Sequence, residues 1–367
     1  MVTIKDIADA CGVSVATVSN IINGKGKFSD ETKQKVLSYA RKMRYKPNAV
    51  ARNLKMKRTH SIGVIVEDMT IFSIPDIVDG ITDYCDQMDY QILLVNLRLF
   101  KRFNDSYYNK DFYYEEVRDA IHSLIYKQVD GMIYVTAHER VLNCIPEGVE
   151  IPTVMAYGYT NSKQIPSVVV DDVDGGYRVA QGLIEKGHRK IGVITGKSDS
   201  LHAQARLLGV QKALYEHAIP FIPERIKTGN WERSSGYELT DSLLKQGVTA
   251  IFCMNDLMAG GVYDRLIEKG IKIGSPGGIS VIGYDDRQTS EYYRPSLTTV
   301  RLPLHDVGYV SSMVMLDLLG EKTGLRGETA KVQPSVRWFS EGGEDKPLVY
   351  SVPCDLIPRN SVASLLT

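Results

Sequence analysis

The segment that most restricts the fold lies at the N-terminus: Thr3-Ile4-Lys5-Asp6-Ile7-Ala8, then Gly12-Val13-Ser14-Val15-Ala16-Thr17-Val18-Ser19-Asn20. Thr3 and Asp6 have the spacing of a capping box. Ile4, Ile7, Ala8 and Cys11 recur at helical intervals on one face. Gly12 suits the left-handed position that ends a helix. Ser14 then caps a second short helix whose Val18, Ile21 and Ile22 pack inward. Ser29 or Asp30 caps a third, with Val36, Leu37, Ala40 and Met43 as its core face. The pattern predicts a helix-turn-helix with Val15, Ala16, Ser19 and Asn20 on the exposed front of helix two. A small three-helix bundle without any DNA role has the same local pattern, so charge must separate the two.

Residues 1–60 hold thirteen Lys or Arg against four acids, a net of +9. The whole chain carries 44 of each sign, so the remainder has 31 basic against 40 acidic residues, a net of −9. A basic head is the electrostatic footprint of a phosphate-binding module. The acidic body would be repelled by DNA, which confines the contact to the head.

At 367 residues and 43% hydrophobic content the chain exceeds one typical domain and can bury sizeable cores. The apolar residues at its start are periodic rather than continuous, so no signal peptide is read there. No stretch approaches the ~20 apolar residues of a membrane span. The five cysteines (11, 85, 144, 253, 354) are scattered. They fit reduced thiols in a cytoplasmic protein and argue against zinc or a disulfide framework.

Beyond residue 60, β-branched runs recur at Ile62–Val66, Ile92–Val95, Gly131–Val135, Thr153–Ala156, Val168–Val170, Ile191–Ile194, Ala250–Cys253 and Ile279–Ile282. Amphipathic stretches at 75–89, 115–127, 174–186, 202–216, 234–246 and 256–269 separate most of them. That alternation predicts an α/β body of two doubly wound parallel lobes. Its ligand site is expected beyond the carboxyl ends of the strands, in a cleft.

The chain resembles the lactose–galactose–purine repressor (LacI/GalR) family of bacterial transcription regulators. The resemblance rests on Val13-Ser14-Val15-Ala16-Thr17-Val18-Ser19 and Pro47-Asn48-Ala49-Val50-Ala51-Arg52. It continues through Gly187-His188-Arg189-Lys190-Ile191-Gly192, Arg206-Leu207-Leu208-Gly209, Asn255-Asp256, Ile282-Gly283-Tyr284-Asp285-Asp286 and Leu297-Thr298-Thr299-Val300. It implies a helix-turn-helix over 1–46, a hinge helix and linker over 47–60, a periplasmic-binding-protein-like effector and dimerisation domain over 61–361, and a tail over 362–367. Lobe one is expected at about 61–161 plus 294–325, and lobe two at about 162–293 plus 335–361.

Implied partners are palindromic double-stranded operator DNA, a small-molecule effector and a second copy of the chain. Val15 and Ala16 are expected against thymine methyl groups and Asn20 on a base edge, with Ser14, Thr17, Ser19 and Asn23 on phosphates. Pro47 fits the first turn of a hinge helix with Ala49, Val50, Ala51 and Leu54 as a small apolar face. So short a helix needs a partner to order it. The resemblance supplies a minor-groove position, with Leu54 wedged at the operator centre and Lys55 near phosphates. A flexible basic linker is the alternative.

In the body, the resemblance points Arg206 into the cleft, where a guanidinium fork suits vicinal hydroxyls or a carboxylate. It places Trp231 as a stacking platform, Asp285 as a hydrogen-bond acceptor and Asn161 in a cleft loop. Asp256 is read as the N-cap of its helix, leaving Asn255 for the ligand. The chain departs from the family at Ile71-Phe72-Ser73-Ile74, where Ser73 and Ile74 stand at two positions that normally flank the effector and Phe72 compensates. A second departure, Leu97–Glu116, is rich in Tyr and Phe. It is open to three readings: a cover over the cleft, a partner surface, or part of the core. A third, Lys322–Lys346, is read as a surface excursion.

Gly192-Val193-Ile194-Thr195-Gly196-Lys197-Ser198 imitates a phosphate loop but is one residue too short before Gly-Lys-Ser. No nucleophilic triad, metal cluster or dinucleotide fingerprint is evident, and no cofactor is expected. The residue mixture of the cleft favours a sugar or sugar phosphate as effector. The rival from another class is a cleft enzyme or a solute-binding protein carrying an accessory DNA-binding head. The tail after Arg359 is too short for a tetramerisation helix, so a homodimer is expected.

Overall fold

A computed structural model describes residues 2–22, 26–43, 45, 58–108, 110–326, 336–343 and 346–366. It divides into two compact units, Met1–His60 and Ser61–Thr367. The hinge helix, and with it Ala51, Leu54 and Lys55, lies outside the described residues, as does Asn23.

In the first unit, α1 (Ile4–Cys11), α2 (Val15–Ile22) and α3 (Asp30–Lys42) form as their caps dictate. Thr3 Oγ1 accepts from Asp6 N at 3.3 Å, and Asp6 Oδ2 accepts from Thr3 N at 2.8 Å, so both halves of the capping box are present. Gly12, at φ 66°, ends α1. Ser29 caps α3 through Thr32 N at 3.3 Å. Ile7, Ala8, Cys11, Val18, Ile21 and Val36 close the core, with Ile22, Leu37, Ala40 and Met43 packed at its edge.

The second unit contains thirteen strands among the described residues. β1 (Ser61–Val66), β2 (Gln91–Asn96), β3 (Gly131–Val135), β4 (Thr153–Ala156) and β5 (Ser167–Asp171) are followed by β6 (Ile191–Thr195), β7 (Ile226–Thr228), β8 (Ala250–Cys253) and β9 (Ser280–Ile282). β10 (Thr299–Arg301), β11 (Phe339–Gly343), β12 (Lys346–Pro353) and β13 (Asp355–Ile357) complete the set. The seven-stranded sheet runs β11-β12-β5-β4-β3-β1-β2 and is parallel except for β11; the four-stranded sheet β7-β6-β8-β9 is wholly parallel. β10 and β13 form an antiparallel pair beside them.

The expected boundary at 162 does not coincide with the sheets. β5 pairs with β4 on one side and β12 on the other, so both Ser167–Asp171 and Lys346–Pro353 extend the first sheet. The chain enters the second lobe with the helix Asp172–Glu185, which packs on Leu201–Glu216. Their backbones meet through two glycines: a Cβ at Gly176 would lie 2.1 Å from the Arg206 carbonyl oxygen, and one at Gly209 2.0 Å from that of Val173. Within the expected surface excursion, 339–343 is an edge strand on β12, while 327–335 lies outside the described residues. The expected tail is docked. Leu365 N donates to Lys186 O at 2.7 Å, and His188 bonds Ala363 O and Thr249 Oγ1. All five cysteines are buried and free. Among the described residues no helix is long and apolar enough to cross a membrane.

Candidate functional site

The head presents one candidate surface. Ser14 Oγ accepts from Thr17 N at 3.0 Å and contacts Thr17 Oγ1 at 2.9 Å, so Ser14 is the N-cap of α2 and ties Thr17 to it. With Val18 and Ile21 buried beneath, Val15 (45% exposed), Ala16 and Asn20 face solvent, and Thr17 and Ser19 are half-buried. Lys5, Lys27, Lys33, Lys35, Arg41 and Lys42 are exposed on the same unit. A helix of small and apolar side chains in a basic setting suits the major groove, where methyl groups and base edges are read between phosphate contacts.

In the body, the cleft floor is a buried charged network. Asp172 begins the helix after β5 and accepts from Arg206 Nε at 2.8 Å, His202 Nδ1 at 2.5 Å and Tyr284 OH at 2.8 Å. Burial alone would raise its pKa, but Arg206 and His202 outweigh that and hold the carboxyl well below its ordinary range. Glu139, after β3, accepts from Val170 N at 3.0 Å; burial and the Asp172 charge push it up to about 7. Burial lowers the His202 pKa, and Glu139 and Asp172 more than reverse this. Its Nε2 nevertheless accepts from the Glu139 backbone N–H at 3.2 Å, which only a neutral ring with its proton on Nδ1 can do. Glu139, Asp172 and His202 bring ligand-type atoms within 4.8 Å of one another. Both Asp172 oxygens and both His202 nitrogens are already engaged by protein groups, so this donor set does not fit a metal without dismantling the network.

Arg206 is buried rather than presented to the cleft. Its Nε binds Asp172, its Nη1 donates to Met254 O at 2.5 Å, and its guanidinium stacks 3.7 Å from the Tyr284 ring centroid. Trp231, 5.8 Å away by the same measure, is half-buried at φ 74°, its indole laid so closely on Gly196 that a Cβ there would come within 1.9 Å of the ring.

Asn255, not Asp256, is the N-cap. Its Oδ1 accepts from Met258 N at 2.8 Å and its Nδ2 donates to Trp231 O at 2.8 Å. The expected order fails because the buried Asp256 carboxylate is taken from below by Thr299 Oγ1 (2.6 Å) and Arg287 N (2.9 Å). Burial, reinforced by Asp285, pushes Asp256 up to about 8.

Asp285 (φ 112°) lies 3.4 Å from Arg287 Nε; burial raises it to about 6 against the pull of Arg206 and Arg287. Arg287 in turn stands 4.1 Å over the Phe72 ring and bridges the lobes. Phe72 and Asp285 help line an open cavity of about 530 Å³ that extends to Arg301 and His305. Ser73 and Ile74 are not at its wall. Both are fully buried, with Ser73 Oγ donating to Ala137 O at 3.0 Å. They open a helix whose first turn faces the core. Asn161 is exposed in the loop after β4 and its backbone N–H donates to Asn143 Oδ1 at 3.3 Å; it is not brought to this cavity. Asp172, His202, Glu139 and Arg287 escaped the sequence reading. Only the Asp171-Asp172 doublet at a strand-to-helix junction hinted at the first of them.

A model for bacterial regulatory proteins of the lacI family matches residues 3–48, and one for a periplasmic binding protein-like domain matches 180–339. The chain is 34% identical over 326 residues to the HTH-type transcriptional repressor PurR of Vibrio atlanticus (strain LGP32), covering 88% of this chain and 93% of that one. To the repressor of the same name from Haemophilus influenzae (strain PittEE) it is 34% identical over 328 residues, covering 88% and 92%. Among solved structures, the lac repressor dimer bound to operator and the anti-inducer ONPF aligns with a TM-score of 0.68 at 26% identity, over 99% of each chain.

Proposed function

The chain belongs to the lacI family of bacterial regulatory proteins, and from that premise we propose that it is a repressor whose operator affinity is set by a carbohydrate held in the cleft of the second unit. That it is a transcriptional repressor with an effector-binding domain, and not an enzyme, follows from its relatives and fold. The sugar is our reading. The observation that supports it is the Phe72 ring set beside the Asp285–Arg287 pair on the wall of one cavity; Trp231, which lies over Arg206 and does not line that cavity, is read as a second aromatic face. A ring with an apolar face and hydroxyls at its rim meets both kinds of group at once. A phosphorylated sugar suits the same site, since Lys197 is exposed beside Gly196 under the Trp231 ring.

The head binds a palindrome as half of a C2 dimer, a reading supported by the operator-bound dimer of the lac repressor. Val15 and Ala16 pack on thymine methyls and Asn20 reads a base edge. Leu54 wedges into the minor groove at the centre. Effector closure of the cleft alters the relation of the two first lobes and so the hinge. Isothermal calorimetry with a panel of mono-, oligo- and phosphorylated saccharides tests the effector. Binding of purines or amino acids with no saccharide bound would overturn it. Footprinting tests the DNA reading, which an asymmetric protected site or full affinity in Leu54→Ala would overturn.

A further inference from the structure

The segment between β2 and the helix Tyr114–Tyr126 belongs to the first lobe by its packing but touches the second. Its root is fixed. Leu99 N donates to Glu67 O at 2.8 Å, Lys101 N to the Asp68 carboxylate at 2.9 Å and Arg98 N to Asn96 Oδ1 at 3.1 Å. Tyr107 and Tyr113 are fully buried in a core with Leu97 and Leu99. Arg140 forks onto Glu67 at 3.1 and 2.6 Å and donates to Tyr113 OH at 3.1 Å. The described part of the expected aromatic departure is therefore anchored in the first lobe's core.

Its tip reaches across. Tyr108 OH lies 3.0 Å from His138 Nε2, which holds the tip against the segment leading to Glu139. Asp105 Oδ2 lies 3.6 Å from Lys197 Nζ, on the loop between β6 and the helix Leu201–Glu216. Lys197 follows Gly196, the residue on which the Trp231 indole rests. A continuous line of contacts thus runs from the first lobe to the stacking platform of the second: Asp105, Lys197, Gly196, Trp231.

We propose that Asp105 and Lys197 form a clasp across the mouth of the effector cleft, and that this pair sets how readily a ring-sized molecule reaches Trp231. One end of the clasp stands two residues from Tyr107, which is buried in the first lobe's core. The other end sits on the loop that Trp231 covers, so opening the cleft must separate the two charges. Both side chains are about half-exposed. An ion pair of this kind shifts an open-to-closed ratio by about two- to fivefold, small enough for an entering ligand to override. The clasp rests on the proposed effector site at Trp231, and a phosphorylated effector there would compete with Asp105 for Lys197.

Trp231 can report on it, since the chain has two tryptophans and Trp338→Phe leaves Trp231 alone. The probe is collisional quenching by the nitroxide TEMPOL, a hydroxylated six-membered ring. In that background Asp105→Lys and Lys197→Asp should each raise the quenching constant about two- to fivefold, and the double reversal should restore the parent value. Salt at 1 M should raise quenching of the parent, where it screens an attraction, and lower that of both single variants, where it screens a repulsion. Quenching unaltered in both singles, a double variant that stays high, or a parent insensitive to salt would each overturn the clasp.

Discussion

Asn255 joins the helix Asp256–Glu268 to the loop that carries Trp231: its Oδ1 accepts from Met258 N and its Nδ2 donates to the Trp231 carbonyl, both at 2.8 Å. One side chain thus caps a helix and fixes an aromatic ring in a left-handed backbone position (φ 74°) that a tryptophan rarely adopts.

Removing both contacts in Asn255→Ala should cost about 1–2 kcal/mol and red-shift the Trp231 emission as the loop loosens. Asn255→Asp keeps the cap acceptor and loses only the donor to Trp231, so its melting temperature should stay nearer the parent while the emission still shifts. Calorimetric melting and fluorescence of the two variants check this together. Equal emission in all three proteins would contradict it.

Arg206 has a structural duty that complicates any reading of its loss. Arg206→Ala would leave the buried Asp172 carboxylate short of its main counter-charge, so a destabilisation of about 3–5 kcal/mol is expected. Asp172→Asn should cost a comparable amount, because it leaves the buried Arg206 guanidinium without its counter-charge and sets an amide N–H against the His202 Nδ1 proton. Urea denaturation of both variants compares the two losses.

The buried carboxylates make opposite contributions with pH. Asp256, ordinarily near 3.8, is raised to about 8, so the folded chain binds a proton that the unfolded chain releases between those values. Its contribution to stability therefore falls as pH rises from about 4 through about 8. Asp256→Asn can turn its amide to accept from Arg287 N and donate to Thr299 Oγ1, and should flatten that part of the profile. Asp172, whose pKa is depressed, stabilises above the ordinary carboxylate range, and that contribution is lost on acidification below it. Denaturant midpoints from pH 4 to 8 for parent and Asp256→Asn test the first claim.

The helix pair beneath the cleft tolerates no side chain at its crossing. Gly209→Ala places a methyl carbon 2.0 Å from the Val173 carbonyl and 2.6 Å from Tyr177 N, both backbone atoms. The helices must separate, which should cost about 1–3 kcal/mol or more and pull Arg206 away from Asp172. A lower melting temperature is expected, together with loss of binding for whichever saccharide the calorimetric panel identifies.

In the head, Ser14→Ala removes the α2 cap and should destabilise the first unit by about 1 kcal/mol. Lys33→Ala, on an exposed face, should leave folding unchanged. If Lys33 meets a phosphate, its loss should lower the slope of log affinity against log salt by about 0.9. Titrating labelled operator DNA at several salt concentrations separates the two effects.

The sequence by itself determined every element whose cause is local. The capping box at Thr3 and Asp6, the stop at Gly12, the cap at Ser14 and the alternation of β-branched runs with amphipathic stretches depend on residues three or four apart, and each appears in the structure where the pattern predicts it. The head's charge excess is likewise a property of composition. What only the tertiary structure decided are relations between residues far apart in the chain. β5 and β12 join one sheet because their backbones meet there, which no periodicity encodes. Asp256 lost the cap to Asn255 because Thr299 and Arg287 approach it from other elements. Ser73 and Ile74 turned into the core because the helix they open packs on another formed much later in the chain, at Leu304–Leu318. Arg206 was legible as important and not as buried. Its partners Asp172, Met254 and Tyr284 reach it only when the second lobe folds, since a desolvated guanidinium must find its acceptors wherever the folded chain supplies them.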